Sequence, residues 1–140
     1  MSEYVKTGKA SITYKYLPIL DPTAADGESH WAAYAAECAN RQGKFWEYHD
    51  KLFGEWRGEN SGAFALANLK QYAAQIGLDT TKFDQCLDSG ATKAVVQQDV
   101  AGATTSGVNS TPLFFLNGKP FYPTALDAAS FTAALDRAIQ

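Results

Sequence analysis

The most informative pattern of apolar and polar residues lies between positions 107 and 122, where a loop leads through a proline into two short runs separated by a turn. Residues 113–116 are continuously apolar, which is typical of a strand covered on both faces. Asn117-Gly118 favours a two-residue hairpin turn, because both residues tolerate a positive φ. Pro120 has no N–H to donate, so the second strand is expected at a sheet edge. The segment therefore predicts a hairpin with one buried strand and one edge strand.

A further strand is predicted near the start of the chain, over residues 9–17. Ile12, Tyr14 and Tyr16 alternate there with polar residues, which places the two kinds of side chain on opposite faces. Pro18 ends this pattern.

Five amphipathic helices are predicted between these two strand regions, since apolar residues recur there at spacings of three and four. Their expected positions are about 28–40, about 44–56, about 64–76, a short helix with Asp79 as N-cap, and about 91–104. A last helix, over about 126–139, would cover the sheet with Phe131, Ala134, Leu135, Ala138 and Ile139. The order of elements predicts an α/β protein with an inserted helical layer.

The two histidines lie in different settings along these helices. The apolar stripe of the second helix is formed by Phe45, His49, Leu52, Phe53 and Trp56. His49 is therefore interpreted as a hydrogen-bonded core histidine rather than a metal ligand or a base. His30 is expected at the surface, at the start of its helix. An enzyme site built on His49 and Asp50 has no accompanying nucleophile or metal set.

Composition narrows the possible functions. The 140 residues are 46% hydrophobic and 19% charged, as in a single soluble domain. A net charge of −3 without a basic cluster argues against a nucleic-acid partner. No apolar run approaches the ~18 residues of a membrane span, and the first residues do not resemble a signal peptide, so the chain as written is expected in the cytoplasm. Cys38 and Cys86 are too far apart to form a Cys-x-x-Cys motif, and no metal site or cofactor is predicted.

Several motifs resemble those of one known family. Gly107-Val108, Thr111-Pro112-Leu113-Phe114-Phe115 and Asn117-Gly118-Lys119 resemble the cis-proline loop and hairpin of the DsbA-like thiol–disulfide oxidoreductases. Further matches are Ala35-Ala36-Glu37-Cys38-Ala39, Gln42-Gly43-Lys44-Phe45-Trp46-Glu47-Tyr48-His49-Asp50, Gly77-Leu78-Asp79, Phe83 and Cys86-Leu87. The resemblance covers essentially the whole chain.

This resemblance implies a truncated thioredoxin-like fold with an inserted all-helical subdomain. Residues 1–140 would form one DsbA-like domain. Its thioredoxin-like parts would cover about 1–22 and about 107–140, and its helical insertion about 28–106. Residues 3–9 match the end of the family's active-site helix where it runs into the second core strand.

The same resemblance implies a family activity and the positions of this sequence that match the family's functional residues. Family members exchange thiols and disulfides of proteins or peptides through a Cys-Pro-x-Cys motif, which this sequence does not contain. The chain would thus correspond to the C-terminal portion of such an oxidoreductase and be redox-inactive as given. Of the family's functional positions, only those that bind substrate match this sequence, namely Val108, Thr111 and Pro112. The sequence leaves the isomer of the Thr111-Pro112 bond open, whereas the resemblance implies cis.

A second hypothesis is a non-catalytic peptide-binding or assembly module. By resemblance, the absent strand would lie between residues 9–17 and 112–116, and its loss would leave unpaired backbone edges. Direct pairing of the two strands, a second copy of the chain in a homodimer, or an N-terminal fragment would then complete the sheet. The family is mostly periplasmic or extracytoplasmic, in contrast to what this N-terminus predicts.

The two cysteines have two interpretations. Cys38 and Cys86 both lie on apolar helix stripes, either as buried free thiols or as a structural disulfide, as an analogous pair forms in some exported family members. We favour the disulfide, which would stabilise the chain by about 4 kcal/mol in the loop-entropy model. A catalytic role is not expected, because Cys38 lies late in its helix beside Glu37.

Overall fold

The computed structural model describes residues 2–21 and 27–138. The helices and strands are, in chain order, α1 (Ser2–Lys6), α2 (Glu28–Asn40), α3 (Phe45–Glu55), α4 (Leu66–Gln75), α5 (Thr80–Asp88), α6 (Lys93–Thr105), β1 (Phe114–Leu116), β2 (Lys119–Phe121) and α7 (Ala128–Ala138). They form two compact units. The helical unit contains the described residues of 16–109, and the hairpin unit contains those of 1–15 and 110–140.

The helical unit is organised around α2, which packs against α3, α4, α5 and α6. Small side chains on α2 let the neighbouring helices approach closely, and larger side chains from those helices fill the space between them. The most deeply buried residues are Tyr34, Ala35, Cys38, Ala39, Tyr48, Leu69, Ala73, Phe83, Leu87, Thr92 and Val96. All five inserted helices predicted from periodicity are present in this unit.

Helix ends in this unit follow from local sequence. Helix α2 spans the residues that the apolar spacing predicted. Gly77 follows α4 with a φ of 71°, the left-handed conformation in which glycine commonly ends a helix. Asp79 caps α5 as predicted, since its Oδ1 accepts the backbone N–H of Lys82 at 3.1 Å. That hydrogen bond is the main reason why the pKa of Asp79 lies below its ordinary value.

The prediction for the inner face of α3 is partly wrong. Tyr48 and Leu52 are buried, whereas Phe53 and Trp56 are 68% and 56% exposed. Tyr48 can be fully buried because its hydroxyl donates to the carbonyl of Leu69 at 2.9 Å. Burial also raises the pKa of Tyr48. The helix is therefore rotated so that a satisfied tyrosine, rather than the predicted aromatic stripe, faces the core.

The first turn of α2 takes its hydrogen-bond acceptor from outside the helix. Gly27, at the N-cap position, has no side chain to offer, and the carboxylate of Asp21 accepts the backbone N–H groups of Ser29 and His30, both at 3.0 Å. The same carboxylate contacts Nδ1 of His30. The side chains of His30 and Asp21 are only 18% and 2% exposed, so the expected surface position of His30 is wrong. The imidazole of His30 is largely buried because it contacts Asp21, an acidic residue that lies outside the helix.

We expect a pH dependence of stability from Asp21. Although burial raises the pKa of Asp21, hydrogen bonds from His30 and Ser29 outweigh it, and the pKa lies below its ordinary value. The stabilisation should therefore be complete above about pH 4, the range of an unfolded Asp, and be lost as pH falls through the folded pKa. Urea unfolding of wild type and Asp21→Asn should show a free-energy difference that narrows below about pH 4. A difference that stays constant down to about pH 3 would contradict this assignment.

The hairpin unit contains the predicted hairpin. Strands β1 and β2 are antiparallel, and their turn residues Asn117 and Gly118 have φ values of 51° and 76°. Within the described residues β2 pairs only with β1, so Pro120 lies at a sheet edge as predicted.

Helix α7 covers one face of this hairpin. The ring of Phe131 packs edge-on against those of Phe114 and Phe121, with centroid distances of 4.8 Å and 5.7 Å. Phe115 points to the opposite face and is 50% exposed, so the prediction of a strand covered on both faces is wrong. Ala138, expected on the inner face of α7, is also exposed, while Ile139 lies outside the described residues.

Residues 9–17 do not form the predicted strand. Within the described residues the sheet has only β1 and β2, so direct pairing of segment 9–17 with the hairpin is not found. The backbone groups of residues 11–13 have no hydrogen-bond partner there, and Ile12 is 41% exposed. An alternating pattern indicates which side chains share a face. A strand also needs a neighbouring strand whose backbone N–H and C=O groups pair with its own. Tyr16, at the end of the segment, instead joins the helical unit through its N–H, which donates to Oδ2 of Asp99 at 3.1 Å.

Candidate functional site

The loop between α6 and β1 carries the substrate-binding positions expected from resemblance. Val108 belongs to the helical unit, is half-buried, and donates its N–H to the carbonyl of Ala103 at 2.9 Å. Gly107, with a φ of 69°, lets the chain leave the helix in this direction. Val108 is therefore held by the end of α6.

Thr111 and Pro112 belong to the hairpin unit and are separated from β1 by Leu113. Both residues are exposed, and the peptide bond between them is cis. No hydrogen bond to either residue is formed within the described part of the chain. Thr111 and Pro112 thus lie together at an accessible strand end, whereas Val108 is fixed within the other unit.

The two cysteines form a disulfide between α2 and α5, with Cα atoms 5.9 Å apart. Cys38 is 1% exposed, and its Sγ lies 3.9 Å from Oγ1 of Thr92, which donates to the carbonyl of Tyr34 at 3.1 Å. The sequence contains only these two cysteines. The chain in this state therefore has no thiolate that could attack a disulfide.

His49 does not lie in the core, contrary to the sequence-based interpretation. Its side chain is 23% exposed, and Nδ1 lies 3.0 Å from Oδ1 of Asp50, a carboxylate that is itself 81% exposed. The imidazole packs beside Phe53, with ring centroids 4.7 Å apart. The residue is hydrogen-bonded as expected, but on the aromatic surface of α3.

Two other kinds of site are absent from the described residues. That part of the chain contains no group of three or more His, Cys, Asp or Glu side chains arranged to hold a metal ion. Over residues 2–21 and 27–138, no helix has the length and apolar character needed to cross a membrane.

Sequence reasoning missed two features of the structure. The Asp21–His30 pair joins residues nine positions apart, and only the acidic residue upstream of a helix start gave a weak signal for it. The exposed side chain of Phe115 was hidden within an apolar run that looked buried throughout. The alternation of strand faces, applied residue by residue, would have placed Phe115 opposite its two neighbours.

Comparison with known proteins gives the family. A model described as thioredoxin matches residues 1–137. Among curated relatives, the Na(+)/H(+) antiporter NhaA of Herminiimonas arsenicoxydans is 38% identical over 105 residues, 75% of this chain and 16% of that protein. The Na(+)/H(+) antiporter NhaA 3 of Salinispora tropica is 35% identical over 124 residues, 86% of this chain and 18% of that protein. The chain therefore spans about a sixth of the length of these relatives.

No solved structure is significantly similar to the chain. The family match nevertheless extends over both compact units, and the mostly helical architecture with a two-stranded sheet is consistent with a truncated thioredoxin-like fold. The chain belongs to the thioredoxin family.

Proposed function

We propose that this chain is the C-terminal, peptide-docking portion of a DsbA-like thiol–disulfide oxidoreductase, and that it performs no thiol–disulfide exchange by itself. The observation that carries this proposal is the use of both cysteines in one disulfide inside the helical unit. Exchange requires a thiolate near a helix N-terminus and a second thiol that resolves the mixed disulfide. Cys38 is buried in the second half of α2 and meets neither requirement.

The loop before β1 supports the docking part of the proposal. Thr111 and Pro112 are exposed at the start of a strand, where an extended peptide can approach the backbone. Residues 107–118 contain no charged side chain, so the loop suits a neutral or apolar segment. The ligand class is therefore an unfolded protein or peptide. The antiport named for the relatives is not extended to this chain, because the match covers only about a sixth of those proteins.

We expect neither wild type nor Cys86→Ser to reduce a disulfide-bonded peptide with glutathione, or to oxidise a reduced dithiol peptide, above the buffer rate. The physical reason is that wild type has no thiol and the variant has a single buried one. Turnover in wild type that disappears in Cys86→Ser would mean that Cys38 and Cys86 are a redox pair, and the proposal would be wrong.

Docking is tested separately by adding a neutral unfolded peptide to the protein and monitoring changes in the protein's NMR chemical shifts. Shifts should concentrate in residues 110–115 of the hairpin unit and weaken in Thr111→Glu, since a carboxylate there would have to be desolvated by the peptide. Thr81→Glu is the matched control, because Thr81 is exposed in the first turn of α5, where a carboxylate is tolerated. Equal weakening by both substitutions would argue against docking at the loop.

A second candidate function is an assembly module whose sheet is completed by another chain. Two observations favour it: the sheet has two strands, and the backbone groups of residues 11–13 have no partner among the described residues. Unpaired edges of this kind are templates for strand addition. An N-terminal fragment or a second copy of the chain could supply the strand.

A further inference from the structure

The hydrogen-bond pattern of the hairpin shows which backbone groups face outward. Leu116 and Lys119 flank a two-residue turn, so they form a hydrogen-bonded pair. Pairs alternate along an antiparallel ladder, which makes Phe115 and Pro120 the non-hydrogen-bonded pair between them. The N–H and C=O of Phe115 therefore point away from β2.

The two outer edges of the hairpin differ because of one residue. On β2 the outward position is Pro120, which has no N–H, so a strand added there would lack a donor at the centre. On β1 the outward position is Phe115, which offers both a donor and an acceptor. No hydrogen bond to these groups is formed within the described residues. Strand addition is thus possible at β1 and disfavoured at β2.

The side chain of Phe115 suits a second copy of the chain as the occupant of this edge. It is 50% exposed on the sheet face that α7 does not cover. If two copies of β1 pair antiparallel about a two-fold axis at Phe115, each phenylalanine lies directly opposite its copy. Such a pair forms two backbone hydrogen bonds and an aromatic contact at once. The uncharged segment 107–118 brings no like charges together in this arrangement.

We propose that a second copy of this chain adds to the free edge of β1, forming a symmetric antiparallel pair centred on Phe115. This proposal rests on the assembly function described above and names its partner and register. The result is a four-stranded sheet in the order β2, β1, β1 of the second copy and β2 of the second copy. Two-fold interfaces of this kind are self-complementary, because the same residues meet on both sides.

The edge is short, which fixes the expected strength of the dimer. Strand β1 has only three residues. Pairing of two such strands therefore buries far less than the ~1,200–2,000 Å² that stable interfaces bury in total. Exposed Val5 and Ile12 in the same unit are further apolar surface for a partner. We expect a concentration-dependent dimer with a dissociation constant on the order of 100 μM.

Sedimentation equilibrium over a concentration series of wild type, Phe115→Pro and Phe115→Leu tests this proposal. Proline removes the outward N–H, which the β1–β2 ladder does not use, together with the aromatic ring, and should weaken the dimer at least ~10-fold. Leucine keeps the N–H and should weaken it by about five-fold or less, through loss of the aromatic pair. Circular dichroism and thermal unfolding show whether each variant keeps the fold.

Amide hydrogen exchange in wild type is the second measurement and does not depend on any variant. The N–H of Phe115 should exchange more slowly as protein concentration rises, whereas that of Lys119, already in the hairpin ladder, should not change. A monomer at all concentrations, or a dimer of undiminished strength in Phe115→Pro, would overturn the proposal. The redox and peptide-docking assays, run at low concentration where the chain is monomeric, test the oligomer-independent function separately.

Discussion

Replacing both cysteines by alanine is expected to lower the free energy of unfolding by about 4 kcal/mol. The disulfide joins residues separated by 48 positions, so its loss releases a loop of about half the helical unit in the unfolded chain. Both ends are anchored in the core, since Cys38 lies on α2 and Cys86 beside the fully buried Leu87 on α5. The corresponding fall in melting temperature is about 12–16 °C. Denaturant and thermal unfolding of wild type and Cys38→Ala/Cys86→Ala measure it.

Reductant supplies the control for this comparison. Wild type in excess dithiothreitol should approach the stability of the double variant, while the double variant itself should be insensitive to reductant. Wild type that keeps its oxidised stability after complete reduction, verified by alkylation under denaturing conditions, would contradict the expected entropic contribution. Helix content before unfolding should be similar in all samples, because α2 and α5 also pack through Phe83 and Leu87.

Local sequence was enough to predict the parts of the fold that depend on neighbouring residues. The start of α5 followed from Asp79, the end of α4 from Gly77, and the hairpin turn from Asn117-Gly118. In each case one side chain, or one positive φ, decides the backbone path within a few residues. The disulfide pairing, in contrast, was inferred from resemblance and needed knowledge of the family.

Features that depend on distant partners were predicted poorly. Segment 9–17 has a strand's alternation, but its backbone needs a neighbouring strand that the described residues do not supply. The face of α3 was ambiguous because apolar and aromatic residues occupy more than one side of that helix. The hydrogen bond from Tyr48 to Leu69 decided between the sides, and such a bond cannot be read from periodicity.

For the candidate site the sequence supplied residues, whose binding role stays a prediction, but not their arrangement. Thr111 and Pro112 lie at an exposed strand entrance, where the resemblance places a docking loop. The free edge of β1 follows from combining the turn length with the position of Pro120, two facts that the sequence contains separately. Their consequence became visible only when the register showed that Phe115 pairs with Pro120.

Substitution of Gly27 by alanine is expected to destabilise the helical unit by about 2–4 kcal/mol. A methyl group at this position would overlap the carboxyl carbon of Asp21, so the carboxylate would have to leave the start of α2. Ser29 and His30 would then lose the acceptor of their backbone N–H groups. Chemical denaturation of Gly27→Ala and wild type measures the loss.

A double-mutant cycle separates this mechanism from the intrinsic cost of alanine. In an Asp21→Gly background both the carboxylate and the Cβ of residue 21, which the added methyl would also overlap, are gone, so Gly27→Ala should cost less than about 1 kcal/mol. Gly54→Ala is the matched control, because a methyl group has open space there within α3 and should stabilise the protein by up to about 1 kcal/mol. Equal costs of Gly27→Ala in both backgrounds would show that the Asp21 cap is not the cause. A cost confined to the wild-type background would establish that the carboxylate of Asp21, six positions before Gly27, holds the first turn of α2, the helix on which the core and the disulfide depend.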